Sequence, residues 1–241
     1  MNKQEVLGRN TTLSHLNVIV KSICNMTNVE MRKYKKLQKE VNSIGNQVTE
    51  ILEMVPSYSQ SLEEYYDIIM ATDINFCGDM VPRLRQYCKS NSFSSTVLVF
   101  GQHGHSLIPN SMNYKYPKNM QETFTILEKY LTNKTCRIHI YNSDNKYVMH
   151  KIIDPTPIKE HQFLIEELDE QHLRKMYRMY KIYHYMISHM FIESTTRNGV
   201  VLQAEKNIEE LRDQLTIEYN KLRRDEITNE ILRLSSKRGR I

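Results

Sequence analysis

Leu13–Val55, LSHLNVIVKSICNMTNVEMRKYKKLQKEVNSIGNQVTEILEMV, carries a seam at positions 13, 16, 20, 23, 27, 30, 34, 37, 41, 44, 48, 51 and 55, alternating steps of three and four. Eleven of these thirteen positions are apolar or aromatic, the exceptions being Thr27 and Glu30. A period of 3.5 residues sustained over about six heptads is that of a helix supercoiling on a partner. Such a helix would extend roughly 65 Å, more than a compact domain of this size can bury. Pro56 predicts its end, because the ring clashes with the preceding turn and lacks a donor. Gly45 predicts a bend within it.

Working outward, the chain has only 7 Gly and 6 Pro in 241 residues, so few tight turns are expected. From about Leu168 onward no proline interrupts a second long helix. Its predicted stripe is Ala204, Ile208, Leu211, Leu215, Tyr219 and Leu222, resumed after a one-residue stutter by Ile227, Ile231 and Leu234. A helix of this length holds in water only when much of its apolar face is covered. The cover this chain offers is the N-terminal helix, paired antiparallel. The C-terminal helix is the longer, so its last turns are expected to project with Ile227, Ile231 and Leu234 bare.

Between the helices the periodicity changes. Strands are predicted at Asp67–Thr72, Thr96–Phe100, Cys136–Asn142 and Tyr147–Ile153, with helices at Met80–Cys88 and Asn119–Leu131. Alternating strands and helices indicate a small α/β layer domain. The expected organisation is a helix over residues 1–56, an α/β domain over 57–160 and a helix over 161–241.

The net charge of +5 comes from 33 basic and 28 acidic residues, mostly interspersed, which favours acidic protein surfaces at least as much as nucleic acid. Only Lys237-Arg238-Gly239-Arg240 is locally basic, and a solvated terminus is its simplest reading. Cys24, Cys77, Cys88 and Cys136 lack C-x-x-C spacing and read as reduced thiols. No apolar run reaches the roughly 20 residues of a membrane span, and the N-terminus lacks a secretory h-region. His103-Gly104-His105 lacks a third ligand at a sensible spacing, so no metal is expected. His184 and His189 lie five apart, off a shared helical face, and read as solvated or core-edge side chains. Tyr177, Tyr180 and Tyr183 read as a packing stripe against the central domain. Cys77 lacks an evident base and reads as a buried structural thiol. Gly101-x-x-Gly104 is too short a signal for a phosphate loop.

Leu215-Thr216-Ile217-Glu218-Tyr219-Asn220, Arg223, Ile227-Thr228 and Glu230-Ile231 match the C-terminal pattern LTLxYNxxRQxxITxEIxEI. On these residues the chain resembles the gamma subunit of F-type ATP synthases. Ala204 and Asn207 fit that family's A-T-x-N-A. Ile19-Val20-Lys21-Ser22-Ile23 resembles its I-T-K-S/A-M, and Met31-Arg32-Lys33 falls where its K-M-R-K lies. Thr72–Asp79 resembles its S-D-R-G-L-C-G-G, retaining Asp73, Cys77 and Gly78. Glu193-Ser194-Thr195-Thr196 is similar to the EST run of animal mitochondrial members, whereas Glu193 and Arg197 lie without gaps on the family's SExxAR. Departures are Ile74, Asn75, Asp79 and Arg224, which replaces a usual Gln.

The resemblance implies an α+β fold: a long antiparallel coiled coil of N- and C-terminal helices with a central Rossmann-like α/β domain. It implies a central rotor shaft with no catalytic residues, cofactor or metal of its own. The implied partners are the alpha and beta subunits as a hexamer, delta/epsilon-type central-stalk subunits and the membrane c-ring, with neither nucleic acid nor a membrane span. Lys21, Arg32, Lys33, Arg223, Arg224, Ile227, Thr228, Glu230 and Ile231 are the implied interface residues. The implied location is the matrix side of the mitochondrial inner membrane, or the cytoplasmic side of a bacterial one. The alternative is a diverged, non-rotary coiled-coil adaptor that retains the fold.

Overall fold

The computed structural model describes residues 2–53, 65–73, 75, 77–130, 135–153 and 170–238. Val55, Pro56, Ile74, Leu131, Leu168 and the tail residues 239–240 therefore lie outside the described residues. Helix α1 spans Lys3–Glu53, α2 Met80–Ser90, α3 Met120–Leu127 and α4 Glu170–Arg238. The strands are β1 (Tyr65–Met70), β2 (Val97–Phe100), β3 (Met112–Tyr114), β4 (Thr135–Tyr141) and β5 (Tyr147–Ile152). By packing, the chain divides into one unit of Met1–Thr27 with Asn198–Ile241 and another of Asn28–Arg197.

α1 begins at Lys3 rather than Leu13 because a polar signal precedes the apolar seam. The Asn2 carboxamide oxygen accepts from the Glu5 N–H at 2.8 Å, and the Glu5 carboxylate accepts from the Asn2 N–H at 3.0 Å. This reciprocal capping box satisfies donors that a helix start leaves orphaned. The expected bend at Gly45 is not a break, since α1 continues through it and the Thr49 hydroxyl donates to the Gly45 carbonyl at 2.7 Å.

In the unit Asn28–Arg197 the sheet runs in the order β3-β2-β1-β4-β5. All neighbours are parallel except β4 and β5, which form an antiparallel hairpin. On one face Ile68, Leu98 and Ile138 pack with Leu127 of α3 and Met179, Ile182 and Met186 of α4. On the other, Ile69, Val97 and Val99 pack with Met80 and Leu84 of α2. Covered on both faces, β1 and β2 read as continuous apolar runs rather than alternating ones. The α1 segment of this unit packs Val41 against Tyr183 and Ile187 of α4.

Two details differ from the sequence expectation. β1 ends at Met70: the Ala71 N–H still donates to the Phe100 carbonyl of β2, but the Thr72 carbonyl accepts from the His103 N–H, beyond the end of β2. β3 was not anticipated; three residues, Met-Asn-Tyr, show no alternation, and only pairing with Leu98–Phe100 makes them a strand. Gly101 turns between these segments at φ 105, and a Cβ there would lie 2.9 Å from Ala71 and Thr72 backbone atoms. The two glycines of Gly101-x-x-Gly104 are thus packing requirements, since a Cβ on Gly104 would meet Val99 at 2.6 Å.

In the other unit, α1 and α4 run antiparallel. Lys3 pairs with Glu226 at 2.9 Å, Lys21 with Glu205 at 3.5 Å, and Arg212 Nε donates to Asn10 Oδ1 at 3.4 Å. The Thr27 hydroxyl reaches Asn198 Oδ1 at 3.1 Å. The predicted seam is kept at most positions, since Leu13, Val20, Ile23, Thr27, Ala204, Ile208, Leu215, Tyr219 and Leu222 are buried or half-buried, with local departures. Asn17 is 8% exposed, whereas Leu16 and Leu211, both assigned to apolar stripes, are 44% and 47% exposed. Here the covered face includes Asn10, Asn17 and Thr27, the first and last bonded to α4. Apolar side chains off that seam point outward, including Val18, Ile19 and Met26 on α1 and Ile217 on α4. In the unit Asn28–Arg197, likewise, Leu52 is buried where Ile51 was expected.

Candidate subunit interface

The last turns of α4 hold most of the predicted interface residues. The Lys3 ammonium pairs with Glu226 and lies 5.6 Å from the Tyr219 ring centroid. Past that point α4 continues to Arg238, with Ile227 47%, Ile231 59% and Leu234 59% exposed. Spacings of four and three put these three on one helical face. Arg223, Arg224, Thr228 and Glu230 are all exposed, and among the described residues none has an ion pair or hydrogen-bonded side-chain partner. The segment therefore alternates bare apolar groups with uncommitted polar ones. An isolated helix end gains nothing from that composition, whereas an enclosing partner would.

The remaining predicted residues are elsewhere. Lys21 is in the same unit but engaged with Glu205. Arg32 and Lys33 belong to the other unit and are exposed, with Lys33 above the Tyr34 ring at 5.9 Å.

A buried polar clasp in the unit Asn28–Arg197 was missed as an interaction. Arg197 of α4 donates to Glu30 of α1 at 2.9 Å and to Glu193, one turn earlier, at 3.3 Å. The same Glu193 oxygen accepts from the Thr72 hydroxyl at 2.5 Å and the Cys77 thiol at 3.5 Å. Glu193, Arg197, Thr72 and Cys77 are all buried. Burial pushes the Glu193 carboxyl up, while Thr72 and Arg197 act against that shift. Glu193 and Arg197 occupy adjacent turns, the spacing that the SExxAR register requires. That i,i+4 pair was visible in sequence; its partners on α1 and after β1 were not.

Other titratable groups are structural. Burial and the Glu193 charge push the Cys77 thiol up, away from the thiolate form. No disulfide joins the four cysteines. His189 is in the core rather than at its edge: Nδ1 accepts from the Tyr141 N–H at 3.0 Å, so Nε2–H donates to the Ala71 carbonyl at 2.9 Å. Burial pushes its pKa down to about 4, against the pull of the Ala71 carbonyl. Tyr180 packs edge-on against Phe124 of α3, and Tyr183 packs with Val41 of α1. Asp67 is fully buried on β1, held by Arg137, His139 Nε2 and the Ser94 N–H. Burial alone would raise its pKa, but the hydrogen bonds from His139, Arg137 and Ser94 hold it well below the usual carboxylate range. Among the described residues no three His, Cys, Asp or Glu side chains gather as a metal site, and no helix is long and apolar enough to cross a membrane.

With this architecture in view, the chain matches the ATP synthase family over residues 2–236. This chain belongs to the ATP synthase gamma-subunit family. Its role is the one that family performs, the central rotor shaft of an F-type ATP synthase, working with other subunits of that complex. Similar folds are found in the rotor of the Euglena gracilis mitochondrial ATP synthase in rotational state 1, at TM-score 0.64 and 14% identity, covering 93% of this chain and 98% of that one. A second Euglena gracilis structure, of OSCP/F1/c-ring in rotational state 3, is similar at TM-score 0.54 and 13% identity, covering 91% and 94%. The central stalk/c-ring structure of Tetrahymena thermophila mitochondrial ATP synthase is similar at TM-score 0.55 and 14% identity, covering 77% and 99%. No curated protein matches the chain. The gamma-subunit fold thus persists here at sequence identities too low to carry residue roles across.

Proposed function

We propose that this gamma subunit couples rotation of a membrane c-ring to nucleotide-site changes in an alpha/beta hexamer through the bare C-terminal turns of α4. An asymmetric shaft within a three-fold ring touches each beta subunit differently, and only such differential contact shifts a conformational equilibrium. Rotation then passes the three states from site to site. Ile227, Ile231 and Leu234 supply the face that turns within an apolar sleeve. Arg223, Arg224, Thr228 and Glu230 engage loops of the alpha and beta subunits, and Arg224 grips a carboxylate bidentately where a Gln would not.

Lys21, Arg32 and Lys33 meet acidic loops from the α1 side, and delta/epsilon-type subunits complete the stalk. The location is the matrix side of the mitochondrial inner membrane, supported by the mitochondrial origin of the structures with a similar fold.

The observation that carries this reading is the exposure of Ile227, Ile231 and Leu234 on an unbroken helix beside Arg223, Arg224, Thr228 and Glu230, whose side chains have no partner among the described residues. Reconstitution with alpha and beta subunits tests it. ATP hydrolysis should depend on this chain, and failure to co-purify with those subunits would overturn the proposal in favour of a non-rotary adaptor.

A further inference from the structure

A pocket of about 210 Å³ opens on the surface of the unit Asn28–Arg197, apart from the α4 tip. Its apolar wall includes Leu37 of α1, Pro117, and Met186, Ile187 and Met190 of α4. Lys33 and Lys118 stand on its lining, both exposed, and among the described residues neither is ion-paired. Asp73 is the acidic lining residue, but its oxygens are occupied: Oδ1 accepts from the Gln102 N–H at 2.7 Å and Oδ2 from the Tyr116 N–H at 3.2 Å. Two ammoniums against one carboxylate leave an excess of one positive charge.

Tyr34 and Tyr183 also line the pocket, and their hydroxyls have no hydrogen-bond partner among the described residues. Burial pushes the Tyr34 phenol up to about 12, so it remains a donor at neutral pH. Apolar walls, a net positive charge and spare donors together match an anion with an apolar body. The volume is below the roughly 300–1,000 Å³ of drug-sized sites, so that body must be compact.

We propose that this pocket binds a compact amphipathic monoanion, a medium-chain carboxylate, with its head between Lys33 and Lys118 and its chain against Leu37, Met186 and Met190. Such a ligand touches α1, α4, the turn after β1 and the segment between β3 and α3. It would therefore bear on the joint between the helices and the sheet within this unit. The residues proposed for the α4 tip take no part in the site, but Lys33 does, so the ligand and an acidic partner loop would compete for that ammonium.

Methyl-¹³C methionine labelling of the full chain provides the test, with octanoate as probe and 1-octanol as its neutral counterpart. Octanoate should shift the Met186 and Met190 methyl signals saturably. The exposed Met26, Met112 and Met149 serve as controls and should not move. The double variant Lys33→Gln/Lys118→Gln should weaken octanoate binding by about tenfold or more while changing octanol binding by less than about twofold. Shifts spread equally over the control methionines would overturn the proposal. So would unsaturable shifts, or equal octanoate affinity in the double variant.

Discussion

Lys3 on α1 and Glu226 on α4 meet at 2.9 Å although 223 residues separate them. This pair marks the antiparallel register of the unit that contains both, with the first turn of α1 beside Glu226 while α4 continues to Arg238. It is solvent-exposed, so its significance is positional rather than energetic.

Because the register leaves the following turns uncovered, charging them should affect assembly and spare folding. Ile227→Asp/Ile231→Asp is expected to lower ATP hydrolysis by the reconstituted complex about tenfold or more, with the free chain's stability changed by less than about 0.5 kcal/mol. Wild-type turnover by an assembled complex carrying both substitutions would remove the bearing role of this face.

Arg197→Met should be among the costliest substitutions in the unit Asn28–Arg197. It strips Glu193 of its cation at a site 3% exposed, and unpairing a buried charge costs about 3–5 kcal/mol. Adding Glu193→Gln should recover part of that loss. Urea denaturation of both variants checks this, and a cost below about 1 kcal/mol for Arg197→Met would show that the clasp is energetically idle.

Acid should weaken the same unit in two stages. His189 has its pKa pushed from 6.5 down to about 4 on folding, so between those values the unfolded chain binds the proton and the native state does not. Stability from this group is present above about pH 6.5 and falls by about 3 kcal/mol as pH drops to about 4. Asp67, its pKa lowered, adds a further loss below its ordinary value of 3.8. Burial-raised Glu193 works the other way, gaining its proton in the native state first. Replacing His189 with Gln should flatten the slope between pH 6.5 and 4, whatever it does to stability at pH 7. An unchanged slope in chemical-denaturation midpoints would contradict the assignment.

Gly101→Ala should destabilise by about 1–3 kcal/mol or more, since an L side chain is strained at φ 105 and its Cβ meets backbone that cannot rotate away. Gly199→Ala is the control: on α4 nothing lies within 4 Å of its added Cβ, so it should be neutral or stabilising. Thermal denaturation of the two variants side by side distinguishes these outcomes.

The sequence by itself determined that this chain has two long terminal helices, because the 3-4 period and the scarcity of Gly and Pro are local properties of α1 and α4. It also determined four of the sheet's strands to within about two residues, since buried parallel strands read as uninterrupted apolar runs. The Leu215–Leu232 pattern was enough to reach the gamma-subunit family. Tertiary structure alone decided that Asn17 is covered while Leu16 turns outward, a local departure within a seam that otherwise keeps Leu13, Val20 and Thr27. It alone made β3 a strand, and it alone brought Glu30, Thr72 and Cys77 to the Glu193–Arg197 pair. The strand and the clasp depend on which distant segment supplies the complementary hydrogen bond, and neither periodicity nor propensity along the chain encodes that choice.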